Sequence, residues 1–464
     1  MRKTLRVLLL ACLTFAATSS ALAQGTSGPV YIVQPDDTLS LIASRFNISL
    51  EDLLKANDIS DPNLISAGQE LVIPGLEGVS GVLDTQLINL GDSYRSLMRR
   101  THVDEALFRR LNRLVSPTEL YVGAPVILPR QEAPPQYAGL TPSAGESLLE
   151  LAAADHTDTW TISALNDLAG SWDGLPGDVL YAPGSQTGET VGGLPSAFVS
   201  AEITTLPIKQ GGTVEVVVKT PPDTTLGGTL VDFPLHFFPL PDGSQAALQG
   251  VDALLDPGIY PLRLDATLPG GSHQSYEQMV LINSGNYASE IIPLNDPTTI
   301  DPAVTEPELK QIQQIVSGAG AERFWSGIFT APSAYPDCFT SRYGTRRTYT
   351  VVNTTTELPG FHTGLDFCGG EGLPITAPAD GRVVFAGPLT VRGNATIVDH
   401  GWGIYSGFWH QSEIRVQPGE MVKQGQLIGL VGGTGRVTGA HLHWEVWVNG
   451  VQVNPLDWLN RSFP

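Results

Sequence analysis

Three residues recur three times at unchanged spacing in the first part of this chain: Asn57, Gly68 and Pro74, then Asn112, Gly123 and Pro129, then Asn166, Gly177 and Pro183. A repeat of this kind marks one small unit built several times. The first copy shows what the unit is. Tyr31-Ile32-Val33 reads as a short strand, and Asp37 or Thr38 can cap a following helix by accepting its free amides. Leu39, Ile42, Ala43 and Phe46 then repeat at helical spacing, a second helix carries Leu50, Leu53 and Leu54 and ends near Asn57, and Gly68 to Pro74 closes with a strand. The copies are expected at 29–75, 84–130 and 138–184 as β-α-α-β modules. The second opens differently, on Asn89-Leu90-Gly91-Asp92-Ser93, and so does the third, on Thr141-Pro142-Ser143-Ala144-Gly145, so these two are degenerate.

A chain of 464 residues exceeds one ordinary core, so further domains are expected behind the repeats. Its 50 glycines and 35 prolines favour turn-rich, mainly β modules. A net charge of −21 argues against nucleic acid as a partner, because a binder presents a basic face to phosphates. Residues 1–23 read as an export signal peptide: Arg2, Lys3 and Arg6, an apolar run, then Ala21-Leu22-Ala23 before Gln24. Cys12 lies too early in that run for a lipoprotein signal. The mature chain is therefore expected outside the cytoplasm, in the cell wall, the periplasm or the medium, without a transmembrane segment. No feature fixes an oligomeric state.

From 194 to 292 the pattern changes to short alternating strands such as Thr213 to Val218 and Gln278 to Ile282, which suggests a β-sandwich acting as a spacer. His236 and His273 lie there without ligand-like neighbours. Residues 293–330 are expected to form a linker with a helix. Glu306-Pro307 suits its first turn, Leu309, Ile312, Ile315 and Val316 form its stripe, and Gly318 can stop it. The second repeat carries Arg95, Arg99, Arg100, Arg109, Arg110 and Arg113, which are expected on a solvated helix face, with anionic wall polymers as the alternative contact.

The last domain, 331–464, carries the chemistry. His362 and Asp366 stand four apart, His410 stands alone, and His441 and His443 form a His-x-His pair. On a strand that pair puts both imidazoles on one face, while Leu442 and Trp444 turn into the core. Catalytic zinc commonly takes three protein ligands and leaves a fourth position for water. His362, Asp366 and one histidine of the pair meet that count, and the remaining histidines can serve as proton acceptor and oxyanion stabiliser. His400 matches no ligand position and reads as structural. Trp409, beside His410, is expected to touch a substrate groove. With the signal removed, Cys338 and Cys368 form an even pair in an exported chain, which favours a disulfide over free thiols or a zinc thiolate.

At these residues, from about Ser341 to Trp458, the chain resembles the lysostaphin-type (LytM-like, glycyl-glycine endopeptidase) zinc metallopeptidases. The likeness includes Arg342-Tyr343-Gly344-Thr345-Arg346, the Ala377 to Gly381 turn and Lys423-Gln424-Gly425-Gln426. The resemblance implies one zinc per chain on His362, Asp366 and His443, with His410 and His441 acting on water and the developing oxyanion. It also implies hydrolysis of amide bonds in the peptide part of peptidoglycan. The repeats resemble the lysin motif, LysM, which implies binding of the wall glycan. The alternative expectation is a non-catalytic or autoinhibited wall-binding scaffold that activates other hydrolases.

Overall fold

The computed structural model describes residues 28–464 apart from 36, 77–78, 115, 117–118, 131–136, 143–144, 184–192, 295–299 and 352–356. The signal peptide expected at 1–23 and part of the expected linker lie outside the described residues. The described chain is mainly β and divides into two compact units, the first formed by residues up to Thr85 with Ile127–Arg130, the second by the remainder.

In the first unit, strand Val30–Ile32 leads into helices Leu39–Phe46 and Leu50–Ala56 and returns through strand Glu70–Val72, antiparallel to the first. Thr38 caps the first helix by accepting from the Leu41 amide. Asp37 instead accepts from the Tyr31 hydroxyl and the Gln34 amide. Leu39, Ile42, Ala43 and Phe46 are all buried. The recurrent residues now have physical reasons. The Asn57 side-chain amide donates to the carbonyls of Leu53 and Val72 and accepts from the Val72 amide, so one side chain satisfies backbone groups of both a helix end and a strand. Gly68 sits at φ +84°, in the left-handed region that favours glycine.

The second unit repeats this design. Helices Leu148–Ala154 and Thr159–Leu165 lie between the paired strands Tyr137–Leu140 and Leu180–Pro183, and Asn166 bonds Ile162 and Tyr181 as Asn57 bonds Leu53 and Val72. Helices Tyr94–Thr101 and Glu105–Asn112 belong to the middle copy. Arg109, Arg110 and Arg113 are exposed, as expected of a solvated face, whereas Arg95, Arg99 and Arg100 are half-buried or buried and correct that expectation. Arg95 pairs with Asp173 and Asp178, Arg99 pairs with Asp178 and donates to the Val179 carbonyl, and Arg100 pairs with Asp92. The first two therefore fasten the middle copy to the third.

The alternating strands form a sandwich. One sheet runs 233–234, 225–230, 258–267, 273–283, 208–209, and the other 237–239, 245–250, 213–219, 200–203. Val214, Val216 and Val218 from one sheet and Leu262, Leu264, Val280 and Ile282 from the other fill its core, as period-two alternation requires. The expected separation at 292 and 293 does not appear. Strand Ser289–Leu294 runs through it and pairs parallel with Arg346–Val351, and Phe238 stacks on Trp402 with ring centroids 4.7 Å apart. Shared core makes the sandwich a fixed neighbour of the last domain.

The helix spans Pro302–Ile315, capped by Asp301, so Pro307 lies inside it and not in its first turn. A proline there removes one helix hydrogen bond. Burial of Ile312 and Val316 against Ala395, Ile397, Tyr405, Trp409 and Trp447 holds the helix regardless.

The last domain is built on a long sheet in which strand Leu442–Val448 lies between Leu365–Phe367 and Ile404–Gln411. Cys338 and Cys368 are joined by a disulfide, and the Cys368 amide donates to the Cys338 carbonyl at 2.9 Å. The bond ties down the strand pair that carries Asp366. Loss of both cysteines to serine is expected to cost about 3 to 4 kcal/mol for a loop of this size. The check is the melting temperature of this double variant, which should fall clearly below that of the oxidised protein.

Candidate metal centre

The register of the sheet assembles the site. Asp366 lies directly opposite His443, and His443 lies opposite Trp409, the neighbour of His410. Alternation along Leu442–Val448 sends Leu442, Trp444, Val446 and Val448 into the main core, and His443, Glu445 and Trp447 to the other face. His362 follows strand Glu357–Phe361, where its amide donates to Thr345 and its carbonyl accepts from Gly344. Between His362 and Asp366 the chain passes so close to the His443 strand that a Cβ on Gly364 would lie 2.3 Å from the Trp444 carbonyl oxygen. Only glycine fits there.

Three candidate donor atoms converge. Asp366 Oδ1 is 2.8 Å from His443 Nδ1 and 3.1 Å from His362 Nε2, and those two nitrogens are 3.1 Å apart. All three residues are buried. The opposite edge of each ring is anchored: His362 Nδ1 faces the Arg342 carbonyl at 2.9 Å, and His443 Nε2 faces Glu445 Oε1 at 3.3 Å. With those nitrogens as donors, His362 Nε2 and His443 Nδ1 present lone pairs to each other and to a carboxylate, an arrangement that calls for a cation between them. Tetrahedral zinc at 2.0–2.1 Å from each donor separates them by about 3.3 Å, close to the observed spacing. The residues present fit a metal ion.

Charge agrees. Burial works against an ionised Asp366, but the charge of the neighbouring His443 and the close ring nitrogens of His362, His441 and His443 hold the carboxyl far below its usual range. Burial would lower His443, yet Asp366 and Glu445 together push it up to about 9. For Glu445, burial raises the pKa while Arg392 and His443 bring it down to about 2. Two buried carboxylates around one imidazole make a seat for positive charge.

Two more histidines flank the donors. His410 Nδ1 lies 2.8 Å from the Thr434 carbonyl oxygen, which leaves Nε2 as its accepting nitrogen. Burial, reinforced by His443, lowers its pKa to about 3, so it is neutral. Its backbone is left-handed, at φ 63°, a conformation that non-glycine residues keep where surrounding structure imposes it. That turn brings His410 to the cleft directly after Trp409. His441 precedes the strand, with Nδ1 2.8 Å from the Gly439 carbonyl oxygen and Nε2 3.5 Å from Asp366 Oδ1. The ring centroids of His410 and His441 are 5.2 Å apart.

The structure thus brings together all five residues singled out from the sequence, in a cleft of about 230 Å³. His400 is apart from them, fully buried and bonded to the Asp380 carbonyl and the Ser406 hydroxyl, with burial lowering its pKa to about 4. Trp409 lies at the cleft, where contact with a substrate groove was expected, with little of its surface open to it. Its indole is 1% exposed, packed with Ile312 and Val316. The sequence reading gave no role to Glu445, which also accepts from Thr363 Oγ1 at 2.6 Å and Trp447 Nε1 at 2.9 Å. Its position two residues after His443 on a strand was the available signal. Arg347, Arg392 and Arg436, which line the cleft, come from three distant segments and left no such signal.

Comparison with known proteins agrees with this geometry. Residues 360–455 match the model of peptidase family M23, and residues 31–74 and 88–129 match that of the LysM domain. DD-carboxypeptidase/endopeptidase Mpg of Neisseria meningitidis serogroup B is 42% identical over 95 residues, covering 20% of this chain and 22% of that protein. Peptidoglycan DD-endopeptidase ShyC of Vibrio cholerae serotype O1 is 44% identical over 94 residues, with the same coverage of 20% and 22%. The chain thus spans between a fifth and a quarter of the length of these curated relatives. The solved catalytic domain of the antimicrobial peptidase lysostaphin from Staphylococcus simulans is 33% identical, with a TM-score of 0.21, over 22% of this chain and 80% of that one. The chain therefore carries a peptidase M23 domain of the LytM-like kind at its C-terminal end, preceded by LysM domains.

Proposed function

We propose that this protein is an exported zinc endopeptidase that hydrolyses amide bonds in the stem or cross-bridge peptides of peptidoglycan while its LysM modules hold the glycan. The observation that carries the reading is the convergence of His362 Nε2, Asp366 Oδ1 and His443 Nδ1 within 3.1 Å of one another, beside two further histidines. The names of the relatives, a DD-carboxypeptidase/endopeptidase and a DD-endopeptidase, support a peptide bond of the wall as substrate. Holding the enzyme on an insoluble polymer raises its effective substrate concentration without any new catalytic contact.

A zinc ion held by these residues would supply an electrophile that lowers the pKa of water to about 7. The protein does the rest. Glu445 fixes the orientation of His443, and Arg392, with Nη2 3.9 Å from Glu445 Oε1, keeps that carboxylate charged. Neutral His410 offers Nε2 as a proton acceptor, and His441, whose Nε2 edge faces the same space, would stabilise charge on the carbonyl oxygen as the ring that carries a proton on both nitrogens. Partners that orient a metal-binding histidine typically account for 10- to 100-fold in affinity, about that range being expected here. Glu445→Ala should therefore weaken zinc binding by about that factor in a chelator competition.

The test is release of new amino groups from purified peptidoglycan, with and without a chelator and after zinc add-back. Chelator-sensitive release restored by zinc is the expected result. Absence of release with wall binding intact, from both the whole chain and a chain lacking the LysM modules, would favour the scaffold. A complete donor set favours the enzyme.

A further inference from the structure

Strands Gly381–Leu389 and Gly393–Gly401 are joined by a short turn, and its last two residues, Val391 and Arg392, meet three parts of the site. The Arg392 carbonyl accepts from the His410 amide at 2.9 Å, where the backbone is left-handed. The Val391 carbonyl accepts from the Arg436 amide at 2.8 Å and so ties down the loop ahead of His441. That loop also supplies the Thr434 carbonyl that fixes His410 Nδ1. The Arg392 guanidinium reaches towards Glu445, the residue behind His443, with Nη2 3.9 Å from Oε1. One turn therefore sets the backbone of the neutral histidine, the loop before His441 and the charge behind a candidate donor.

Glu308, on the helix Pro302–Ile315, holds that turn. Its Oε2 accepts from the Val391 amide at 2.7 Å, and its Oε1 accepts from the Arg392 amide and from Arg392 Nη1, both at 3.2 Å. The residue is 6% exposed, so its carboxylate exchanges water for three N–H donors drawn from one turn. Without it, two buried amides and a guanidinium lose their acceptor, which is the costly direction for a buried hydrogen bond. Docking of the helix does not need these bonds, because Ile312 and Val316 already pack it against Ala395, Ile397, Trp409 and Trp447. The same packing places the Trp409 ring under the Arg392 guanidinium, 5.3 Å from its centroid.

We propose that Glu308 is a positioning residue for the metal centre: from the helix it holds the Val391-Arg392 turn, and through that turn it sets the orientation of His443, by way of Arg392 and Glu445, and the place of His410. Arg392, Glu445, His443 and His410 all line the cleft, whereas Glu308 does not, so it acts through them and not on a substrate. Groups that orient a metal-binding histidine from behind contribute to metal affinity although they never touch the metal. A displaced proton acceptor costs turnover even where the fold survives. The part concerning His410 rests on the peptidase reading above; the part concerning His443 needs only a bound metal ion.

Glu308→Gln in the intact chain keeps the shape and removes the charge. By chelator competition it should weaken zinc binding about tenfold, the low end for a group that orients a metal-binding histidine. With zinc saturating, kcat for release of amino groups from soluble peptidoglycan fragments should fall about 10- to 100-fold. KM should change less than about twofold, because Glu308 lies outside the cleft. In a chain that already carries Glu445→Ala, the same substitution should cost less than about twofold in zinc affinity, since residues that act through one contact do not add. Glu308→Asp, which keeps the charge one methylene short, should fall in between, and it takes the place of Glu308→Gln if that chain does not fold. Ile312→Val loosens the helix without touching the turn, so it should lower the melting temperature and leave zinc affinity and kcat as they are. Unchanged zinc affinity in Glu308→Gln, full additivity with Glu445→Ala, or equal losses in Ile312→Val would overturn the proposal. A wild-type chain that binds zinc and cuts no peptidoglycan would defeat the peptidase reading instead, and zinc affinity alone then judges Glu308.

Discussion

Alanine at His362, Asp366 or His443 is expected to remove zinc and activity together. Each substitution deletes one of three converging donors and leaves the other two without the geometry that a closed three-ligand set provides. A metal ion contributes several kcal/mol to amide hydrolysis, and each 1.36 kcal/mol is tenfold in rate, so a fall of about 10³-fold or more is expected. Zinc per chain, measured after dialysis, should drop well below one in all three. Asp366→Asn is the sharper variant. It keeps the shape but removes the charge that Asp366 sets against His443 and His362, so it separates the electrostatic part of metal binding from the steric part. Full zinc occupancy in any of the alanine variants would remove that residue from the ligand set.

How far the sequence carried this reading differs between parts of the chain, for physical reasons. His441 and His443 were legible because strand alternation is local and puts alternate side chains on one face. Asn57 and Asn166 were legible as a repeat before their bonding was known, because one side chain that satisfies a helix end and a strand at once admits few substitutes. Arg95 and Arg99 of the middle copy were misjudged. Their partners Asp173 and Asp178 lie far along the chain, and charge on a helix face looks the same whether it meets water or another module. Pro307 misplaced the helix start, since a local preference for the first turn yields to burial of Ile312 and Val316. Trp409 was judged by its sequence neighbour. Trp409 lies opposite His443 and shares its face, but the helix residues Ile312 and Val316 cover its indole, a packing that no local pattern announces.

Alanine at His410 or His441 should give the opposite pattern from the ligand variants, with activity lost and zinc retained. Neither ring belongs to the converging triad, and each is held by a backbone carbonyl on its Nδ1 side, Thr434 for His410 and Gly439 for His441. Those contacts leave an Nε2 edge facing the cleft in both cases. As proton acceptor, His410 is worth about 10²- to 10⁴-fold, and loss of it should lower kcat by that factor. His441, as the group that stabilises charge on the carbonyl oxygen, should cost about 10²- to 10³-fold. The two rings lie 5.2 Å apart over one small space, so their effects should not add: the double variant is expected to be little worse than His410→Ala alone. Fully additive losses would mean that the histidines act at separate steps. Zinc lost from His441→Ala, whose Nε2 lies 3.5 Å from Asp366 Oδ1, would instead place that ring among the ligands.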